Sequence, residues 1–419
     1  MRQTPYRFDP VQKKCTVRGA RELPREIFDI HDEIEILDAS EGSLSALSDN
    51  LGDLKNLRIA FFSSNPFESI PAVLASCPKL EMVGFRSCGL RTIHVSALPP
   101  KLRGLIVTDN QISELPEDIG KLTQLQKLML AGNQLTSLPH SLLGCERLEL
   151  LRVSLNQLEA SPDWLFELPR LAWYGDSTNT FRHSDAPLHV NAPKIRWEDL
   201  EILDMIGKST NNKVYAARLD GKDVAVKLFG NSIITDGSPL DDMRASLLAG
   251  KHPNLIGGIG QLAGTPNGQE GFVMPLIPNA YAQLGLPPDL VTLTRDVFAD
   301  GQTFSGDFIR QAANDVAQAL LHLTQQGITH GDIYAHNILS DAQGNSYLGD
   351  FGAASLYTPG SQAGLLRERI EVRGFGNLLD DLLARCPAPP AALTSLRDAC
   401  LTTDPGSRPA FADITTSLI

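Results

Sequence analysis

Three polar side chains in the last quarter of the sequence have the spacing that phosphoryl transfer needs. Asp332 can accept a proton from a hydroxyl group, Asn337 follows five positions later, and Asp350 follows after thirteen more. A positioned carboxylate can orient an attacking hydroxyl, and carboxylate and amide oxygens suit Mg²⁺. The pattern therefore predicts a catalytic Asp332 and a metal site made by Asn337 and Asp350.

The order of these residues resembles a known family. Residues 330–337 read H-x-D-x-x-x-x-N, and residues 350–352 read D-F-G. Together they resemble the catalytic and metal-binding loops of the protein kinase family. The resemblance implies a bilobal α+β domain, a supporting role for His330, and ATP with Mg²⁺ as cofactors.

The phosphate-covering loop matches the family less well. Residues 197–207 resemble the strand that enters a kinase small lobe, but the glycine pattern that follows falls on Gly207, Ser209, Asn212 and Val214. Only the first glycine is kept. Because glycine lets backbone N–H groups approach phosphates closely, we expect weaker nucleotide binding than in the family at large.

A lysine in an apolar strand is the next feature. Residues 224–229 alternate as a β-strand does, and a buried Lys227 needs an anionic partner. The resemblance implies that Lys227 holds the α and β phosphates. Its acidic partner should lie on a helix over about residues 239–250, where Asp241 and Asp242 are the available carboxylates; we favour Asp242.

The resemblance also implies an adenine slot. Met274 would lie behind the base, and the backbone of Leu276 and Ile277 would meet its edge. The full predicted nucleotide-binding set is Gly207, Ser209, Val214, Ala225, Lys227, Met274, Leu276, Ile277 and Leu339.

Beyond the D-F-G motif the chain departs from the family. Residues 353–370 contain no A-P-E motif, and we expect the central helix of the large lobe to begin near Glu371. Glu371 takes the place of an Asp that anchors the catalytic-loop backbone in the family. Arg408 has lost its usual A-P-E glutamate, and Glu368 is its candidate partner.

The first half of the chain repeats itself. The template L-x-x-L-x-L-x-x-N-x-L fits with steps of 22 or 23 residues from starts at Ile34, Leu57, Leu80, Leu102, Leu125, Leu148 and Leu171. These units resemble short cytoplasmic leucine-rich repeats, which implies an α/β solenoid. In the last unit, Asp176 stands where an apolar residue belongs, as expected of a capping unit.

Outward-facing strand positions of the repeats carry many apolar side chains, centred on Phe61, Met82, Ile106 and Met129. A nominally exposed apolar row marks an interaction surface. It either recruits a protein substrate or adaptor, or it is covered by another part of the same chain.

The repeats and motifs divide the chain into four segments. The predicted segments are an N-terminal cap at 1–33, a leucine-rich repeat domain at 34–181, a linker at 182–194 and a protein kinase domain at 195–419.

Composition limits the partners and the location. The chain has 419 residues, a net charge of −12 and no basic stripe, which argues against nucleic acid and anionic membranes. Its polar N-terminus, the absence of a long apolar run and six scattered cysteines favour a cytoplasmic protein with reduced thiols.

Three functional hypotheses remain. The first is a protein kinase, with Ser/Thr favoured over Tyr. The second is a small-molecule phosphotransferase of the aminoglycoside or choline kinase type, because Gly331 replaces the arginine of most protein kinases. The third is a pseudokinase scaffold, which the degraded glycine loop supports and the intact Lys227, Asp332 and Asp350 oppose.

Overall fold

The structure is a computed structural model, and the contacts within it divide the chain into two compact units, Met1–Leu171 and Ala172–Ile419. The residues that it describes are 6–180, 192–208, 212–230 and 238–418. Ser209 and most of the predicted linker therefore lie outside the described residues.

Three-residue strands form the sheet of the first unit. In its described part they are β1 Arg7–Asp9, β2 Lys14–Thr16, β3 Ile36–Asp38, β4 Ile59–Phe61, β5 Met82–Gly84, β6 Gly104–Ile106, β7 Lys127–Met129 and β8 Leu150–Arg152. The first two strands form an antiparallel hairpin, and each later strand pairs in parallel with the one before it. The predicted repeat solenoid is confirmed.

The register of this sheet follows the repeat template. Ile59 pairs with Met82, which pairs with Gly104, so equivalent positions of successive repeats stand side by side. Short 3-10 turns alternate with the strands. Among the described residues they span Arg25–Ile30, Asp49–Asp53, Ala72–Ser76, Val95–Ala97, Ile119–Lys121, His140–Gly144 and Asp163–Glu167.

Buried asparagines hold neighbouring repeats together. The side chain of Asn133 donates to the carbonyls of Val107 and Leu130, at 3.0 and 2.9 Å, and accepts from the N–H of Ile112 at 3.1 Å. Asn110 and Asn156 repeat this pattern one unit before and one unit after. The asparagines at the ninth template position therefore form a ladder of hydrogen bonds between these repeats.

The second unit begins with a short strand, β9 Trp173–Gly175, and continues with a six-stranded sheet in the order β10-β14-β15-β13-β12-β11. Its strands are β10 Lys194–Arg196, β11 Leu200–Lys208, β12 Asn212–Leu219, β13 Lys222–Phe229, β14 Gly260–Ala263 and β15 Gly271–Pro275. Helix α1, Pro239–Ala249, lies between β13 and β14 in the chain. It starts because Ser238 caps the N–H of Leu240 and proline occupies the first turn.

The rest of the second unit is mainly helical. Its described elements are β16 Ala282–Gln283, α2 Gly306–Gln325, β17 Ile328–Thr329, β18 Ile338–Ser340, β19 Ser346–Leu348, β20 Ser355–Leu356, α3 Gln362–Leu383, α4 Ala391–Cys400 and α5 Phe411–Leu418. Buried apolar side chains of α2 and α3, such as Ile309, Leu320 and Phe375, form one core with β17 to β19. This sheet-and-helix arrangement confirms the predicted kinase-like α+β fold.

Helix α3 corrects one expectation. We expected the helix to begin near Glu371, but it begins at Gln362, because Ser361 caps it by accepting from the N–H of Gly364 at 3.1 Å. Only residues 353–361 therefore remain between the D-F-G motif and the helix.

Two further features bear on the composition of the chain. All six cysteines are free and buried. Over the ranges that the structure describes, no helix combines the length and apolarity that a membrane crossing requires.

Candidate active site

The catalytic loop is held by the histidine that precedes Asp332. Helix α2 ends at Gln325, and the turn at Gly327, where φ is +71°, leads into β17 and then into His330. The buried imidazole hydrogen-bonds the carbonyl of Gly349 through Nε2 at 3.0 Å and accepts from the N–H of Asp332 through Nδ1 at 3.3 Å. His330 thereby connects the catalytic loop to the residue before Asp350.

Asp332 and Asn337 lie side by side. The amide nitrogen of Asn337 donates to the backbone carbonyl of Asp332 at 2.9 Å and to its carboxylate at 3.1 Å. These bonds use the nitrogen of the amide and not its oxygen. The backbone carbonyl of Asn337 accepts from the N–H of Gly349 at 3.0 Å. This bond brings the predicted metal-binding loop next to Asn337.

A second cluster joins Lys227 to two carboxylates. Its ammonium lies 2.6 Å from the carboxylate of Asp242 and 3.6 Å from that of Asp350. Burial opposes the charge on Lys227, but the two carboxylates outweigh it, so the pKa of Lys227 is raised. The lysine is therefore a permanent cation.

The predicted partner of Lys227 is thus in contact with it. The carboxylate of Asp242 is buried on helix α1, where the hydroxyl of Ser246 also donates to it at 3.3 Å. Asp350 differs, since its side chain is 57% exposed and its φ is +61°. Lys227 lowers the pKa of Asp350, which keeps this exposed carboxylate charged.

Glu371 holds the backbone of the catalytic loop. Its two carboxylate oxygens accept from the N–H of His330 at 2.9 Å and of Gly331 at 2.7 Å. Burial raises the pKa of Glu371 to about 7, although both N–H groups favour its charged form. The glutamate therefore makes the backbone contacts expected of it, from a strongly desolvated position.

The predicted adenine slot lies on adjoining strands. Val214 is paired with Gly207 on one side and with Lys227 on the other, and Ala225 is paired with Met274. Met274, Leu276, Ile277 and Leu339 are partly buried, as surfaces of a ligand slot are. Ser209, the remaining member of the predicted set, lies outside the described residues.

Arg408 is buried, but its described contacts differ from the expected one. It donates to the carbonyls of Thr402 at 3.2 Å and Arg369 at 2.9 Å. Glu368, its candidate partner, accepts from the N–H of Phe411 at 3.0 Å. Both side chains thus fasten helix α3 to the C-terminal elements.

Sequence reasoning missed Asp296. This buried carboxylate accepts from the N–H of Ala335 and lies 2.7 Å from Nδ1 of His336. Burial opposes the charge of His336, but Asp296 outweighs it and raises the pKa of the imidazole. The signal was weak because Asp296 stands in an irregular segment without a motif around it.

Sequence reasoning also missed the roles of Trp173 in β9 and of Asp176, which follows this strand. The guanidinium of Arg367 binds both carboxylate oxygens of Asp176, and the indole of Trp173 donates to the carbonyl of Ile333 at 3.1 Å. The departure of Asp176 from the repeat template is the available signal, but by itself it predicts only a capping unit.

Known families match both halves of the chain. The protein kinase domain family matches residues 200–375, and the leucine-rich repeat family matches residues 100–158. A solved structure of a leucine-rich repeat protein from Leptospira interrogans is 27% identical and covers 38% of this chain and 41% of its own, with a TM-score of 0.36.

The curated proteins that are similar to this chain include several kinases. The dual specificity protein kinase pyk3 of Dictyostelium discoideum is 21% identical over 54% of this chain and 19% of its own length. Rat protein kinase C epsilon type is 30% identical, over 38% of this chain and 21% of its own. Rat NUAK family SNF1-like kinase 2 is 31% identical, over 38% of this chain and 24% of its own length.

The chain spans less than a third of the length of these relatives. The two family matches, the parallel repeat sheet and the kinase-like fold nevertheless agree in order along the chain. The chain thus has a leucine-rich repeat region, matched over residues 100–158, followed by a protein kinase domain, matched over residues 200–375.

Proposed function

We propose that this chain is an active, Mg²⁺-dependent protein kinase that transfers the γ-phosphoryl group of ATP to serine or threonine. The observation that carries the proposal is the grouping of two clusters, Asp332 with Asn337 and Lys227 with its two carboxylates. Kinases need both clusters formed at once. This intact grouping argues against the scaffold hypothesis despite the degraded glycine loop.

Each cluster has a part in the reaction. Asp332 accepts the proton of the substrate hydroxyl, and the bond from Asn337 fixes its carboxylate. Lys227, held by Asp242, presents a cation that matches the α and β phosphates.

The residues present suit a hard divalent cation. Asp350 has an exposed, charged carboxylate, and the bonds of Asn337 leave its amide oxygen as a ligand. Both belong to the set that would hold Mg²⁺. When bound, Mg-ATP supplies the phosphoryl group together with the charge neutralisation that its transfer requires.

Protein substrates are favoured by the repeat region. Leucine-rich repeats present a surface for protein–protein interaction, and we propose that this one recruits the substrate or an adaptor. Within the predicted apolar row, Met82 and Met129 are buried, while Phe61 and Ile106 are only partly so. The accessible part of the proposed surface is therefore Phe61 with Ile106. The choice of Ser/Thr follows only their greater frequency as kinase substrates.

One assay tests the proposed activity. The full chain is incubated with Mg²⁺ and γ-labelled ATP, alone, with a generic protein substrate and with a panel of aminoglycosides and choline. We expect label on protein serine or threonine, and a loss of about 10²–10⁴-fold in Asp332→Asn because the proton acceptor is removed. Nucleotide binding should persist in that variant.

Other results would redirect the assignment. Label found only on a small molecule would replace the protein kinase with a small-molecule phosphotransferase. Equal turnover by wild type and Asp332→Asn would refute the catalytic role of Asp332, and nucleotide binding without transfer would favour a scaffold.

A further inference from the structure

The segment of residues 172–179 contacts the catalytic machinery of the second unit. By its contacts it belongs to that unit, although its sequence is the seventh repeat. Trp173, Tyr174 and Asp176 are each at most 1% exposed. A repeat that merely ended the solenoid would present a polar face to water. In this segment every residue except the partly buried Thr178 is instead buried.

The first contact is with the catalytic loop. The indole of Trp173 stacks on the ring of Tyr334, with centroids 4.5 Å apart and planes 7° apart, and donates to the carbonyl of Ile333. Tyr334 in turn stacks on His336, at 4.9 Å. Two of these three rings, those of Tyr334 and His336, belong to the residues between Asp332 and Asn337. Trp173 therefore contacts the part of the loop that lies between these two residues.

Glycines make room for the segment. Gly331 has a φ of +74°, and a Cβ there would lie 2.6 Å from the carbonyl oxygen of Ala353 and 2.8 Å from that of Tyr174. A Cβ on Gly374 would lie 3.1 Å from the carbonyl of Ala172. The backbone of the segment thus occupies the space that a side chain at position 331 would need.

The second contact is with residues 353–361 and the helix after them. Asp176 accepts from Arg367 of α3 and from the hydroxyl of Tyr174 at 3.1 Å, and its N–H donates to the buried hydroxyl of Ser355 at 3.1 Å. Both members of the ion pair are buried. A buried guanidinium requires such a partner. Asp176 thus connects β20, through its backbone N–H, to helix α3, through its carboxylate.

The third contact is with helix α1. The hydroxyl of Thr178 donates to the carboxylate of Asp241. Asp241 immediately precedes Asp242, the partner of Lys227. Residues 172–179 therefore contact, at successive positions, the catalytic loop, the segment after the D-F-G motif and the helix that carries the lysine's partner.

We propose that residues 172–179 are a built-in positioning element for phosphoryl transfer, with Trp173 and Asp176 as its main positioning residues. The inference rests on the proposed kinase function. Many kinases order these same parts when an added phosphate pairs with arginine. Here the carboxylate of Asp176, a side chain of the same chain, pairs with Arg367, so the site needs no added phosphate to be assembled. Ser355 and Tyr357 of this region are buried, which agrees with that view.

The test uses variants of the full chain. Trp173→Ala removes the stacking and the hydrogen bond, and Trp173→Phe keeps the stacking alone. The matched control is Trp164→Ala, because Trp164 packs against His140 within the first unit. For each variant, thermal unfolding, kcat and KM for ATP are measured, together with amide hydrogen exchange of peptides covering residues 328–338 and 353–361.

A positioning role has a distinct signature. Trp173→Ala should lower kcat at least tenfold, change KM for ATP by less than threefold, and speed exchange in both peptides at least tenfold. Trp173→Phe should recover most of kcat. Trp164→Ala should leave kcat and both exchange rates as in the wild type.

Hydrogen exchange separates this inference from the proposed function. If the wild type transfers no phosphate, the kinase proposal fails, yet unequal exchange in Trp173→Ala and Trp164→Ala still supports the positioning role. Should Trp173→Ala fail to fold, Thr178→Val removes one donor with its shape kept, and exchange in residues 239–249 should rise. Wild-type exchange and kcat in folded Trp173→Ala would overturn the inference. If Trp173→Ala does not fold, wild-type exchange of residues 239–249 in folded Thr178→Val would overturn it.

Discussion

The interior of the repeat array and its last repeat use one template in two ways. Asn133 binds the carbonyl three residues before it and the N–H of the preceding repeat, and Asn179 likewise binds the carbonyl of Asp176, three residues before it, at 2.8 Å. The outward positions differ. In the array they line one face, whereas in the last repeat Trp173 contacts the catalytic loop. The asparagine that binds the backbone is thus kept in both places, and the outward positions are available for function.

This contrast predicts that site residues change activity and array residues change stability. The largest effect is expected at Asp242. Asp242→Asn leaves Lys227 with only the exposed Asp350, so kcat/KM for ATP should fall on the order of 100-fold, as when one preorganised electrostatic contact is lost. Steady-state kinetics over a range of ATP concentrations measure it.

A matched control for this variant lies on β13, the strand that also carries Lys227. Asp223 pairs with Arg218 at 3.2 Å on the surface of β13, and Asp223→Asn should leave kcat/KM unchanged. Equal losses in the two aspartate variants would show that negative charge in general, and not the contact with Lys227, supports activity.

The sequence predicted what local pattern or motif spacing can encode. The repeat template predicted the solenoid, and the family motifs predicted that Lys227 pairs with Asp242 and that Glu371 binds the catalytic-loop backbone. Asp296 could not be predicted, because a single carboxylate in an irregular segment has no period and its partners are 39 and 40 residues away.

The early start of α3 and the use of the last repeat were missed for related reasons. The family spacing placed the start of α3 near Glu371, whereas the cap at Ser361 starts the helix earlier. The partner of Asp176, Arg367, is 191 residues away in sequence. Such distant pairs become visible only in three dimensions. Departures from a regular template, such as Asp176, are nevertheless where function should be sought.

The next prediction concerns the array. Asn133→Ala leaves the buried N–H of Ile112 without its acceptor, which should lower the free energy of unfolding by about 1–3 kcal/mol. Denaturant unfolding measures this loss, and kcat of the folded variant should match the wild type. A large drop in kcat at unchanged stability would contradict the division between array and site.

Glu371 should give a smaller, pH-dependent effect. Its pKa is raised from 4.5 to about 7 by burial, so the folded chain binds this proton more tightly than the unfolded chain. The resulting stabilisation is complete below pH 4.5 and is lost as the pH rises through 7. In Glu371→Gln, the melting temperature should fall less between pH 5 and pH 8 than in the wild type. Parallel curves for the two proteins would show that the carboxylate keeps its ordinary pKa.

The smallest effect on the fold is expected at the outward face of the array. Phe61 lies over Gly84, where a Cβ would come within 2.6 Å of its ring, and Ile106 is the other partly buried member of the apolar row. Phe61→Asp with Ile106→Asp adds two charges to the surface proposed to recruit a protein. We expect phosphorylation of a recruited target, measured in cell extract, to fall at least fivefold.

Transfer to a short generic peptide separates recruitment from catalysis, because a peptide that contacts only the active site gains nothing from a remote surface. Transfer to this peptide should be unchanged in the double variant, and the melting temperature of the variant should shift by only a few degrees. The matched control is Glu117→Lys with Lys121→Glu, two exposed positions of the same unit. A rise in transfer to both substrates would instead identify the row as an internal brake, the alternative in which another part of the chain covers this face.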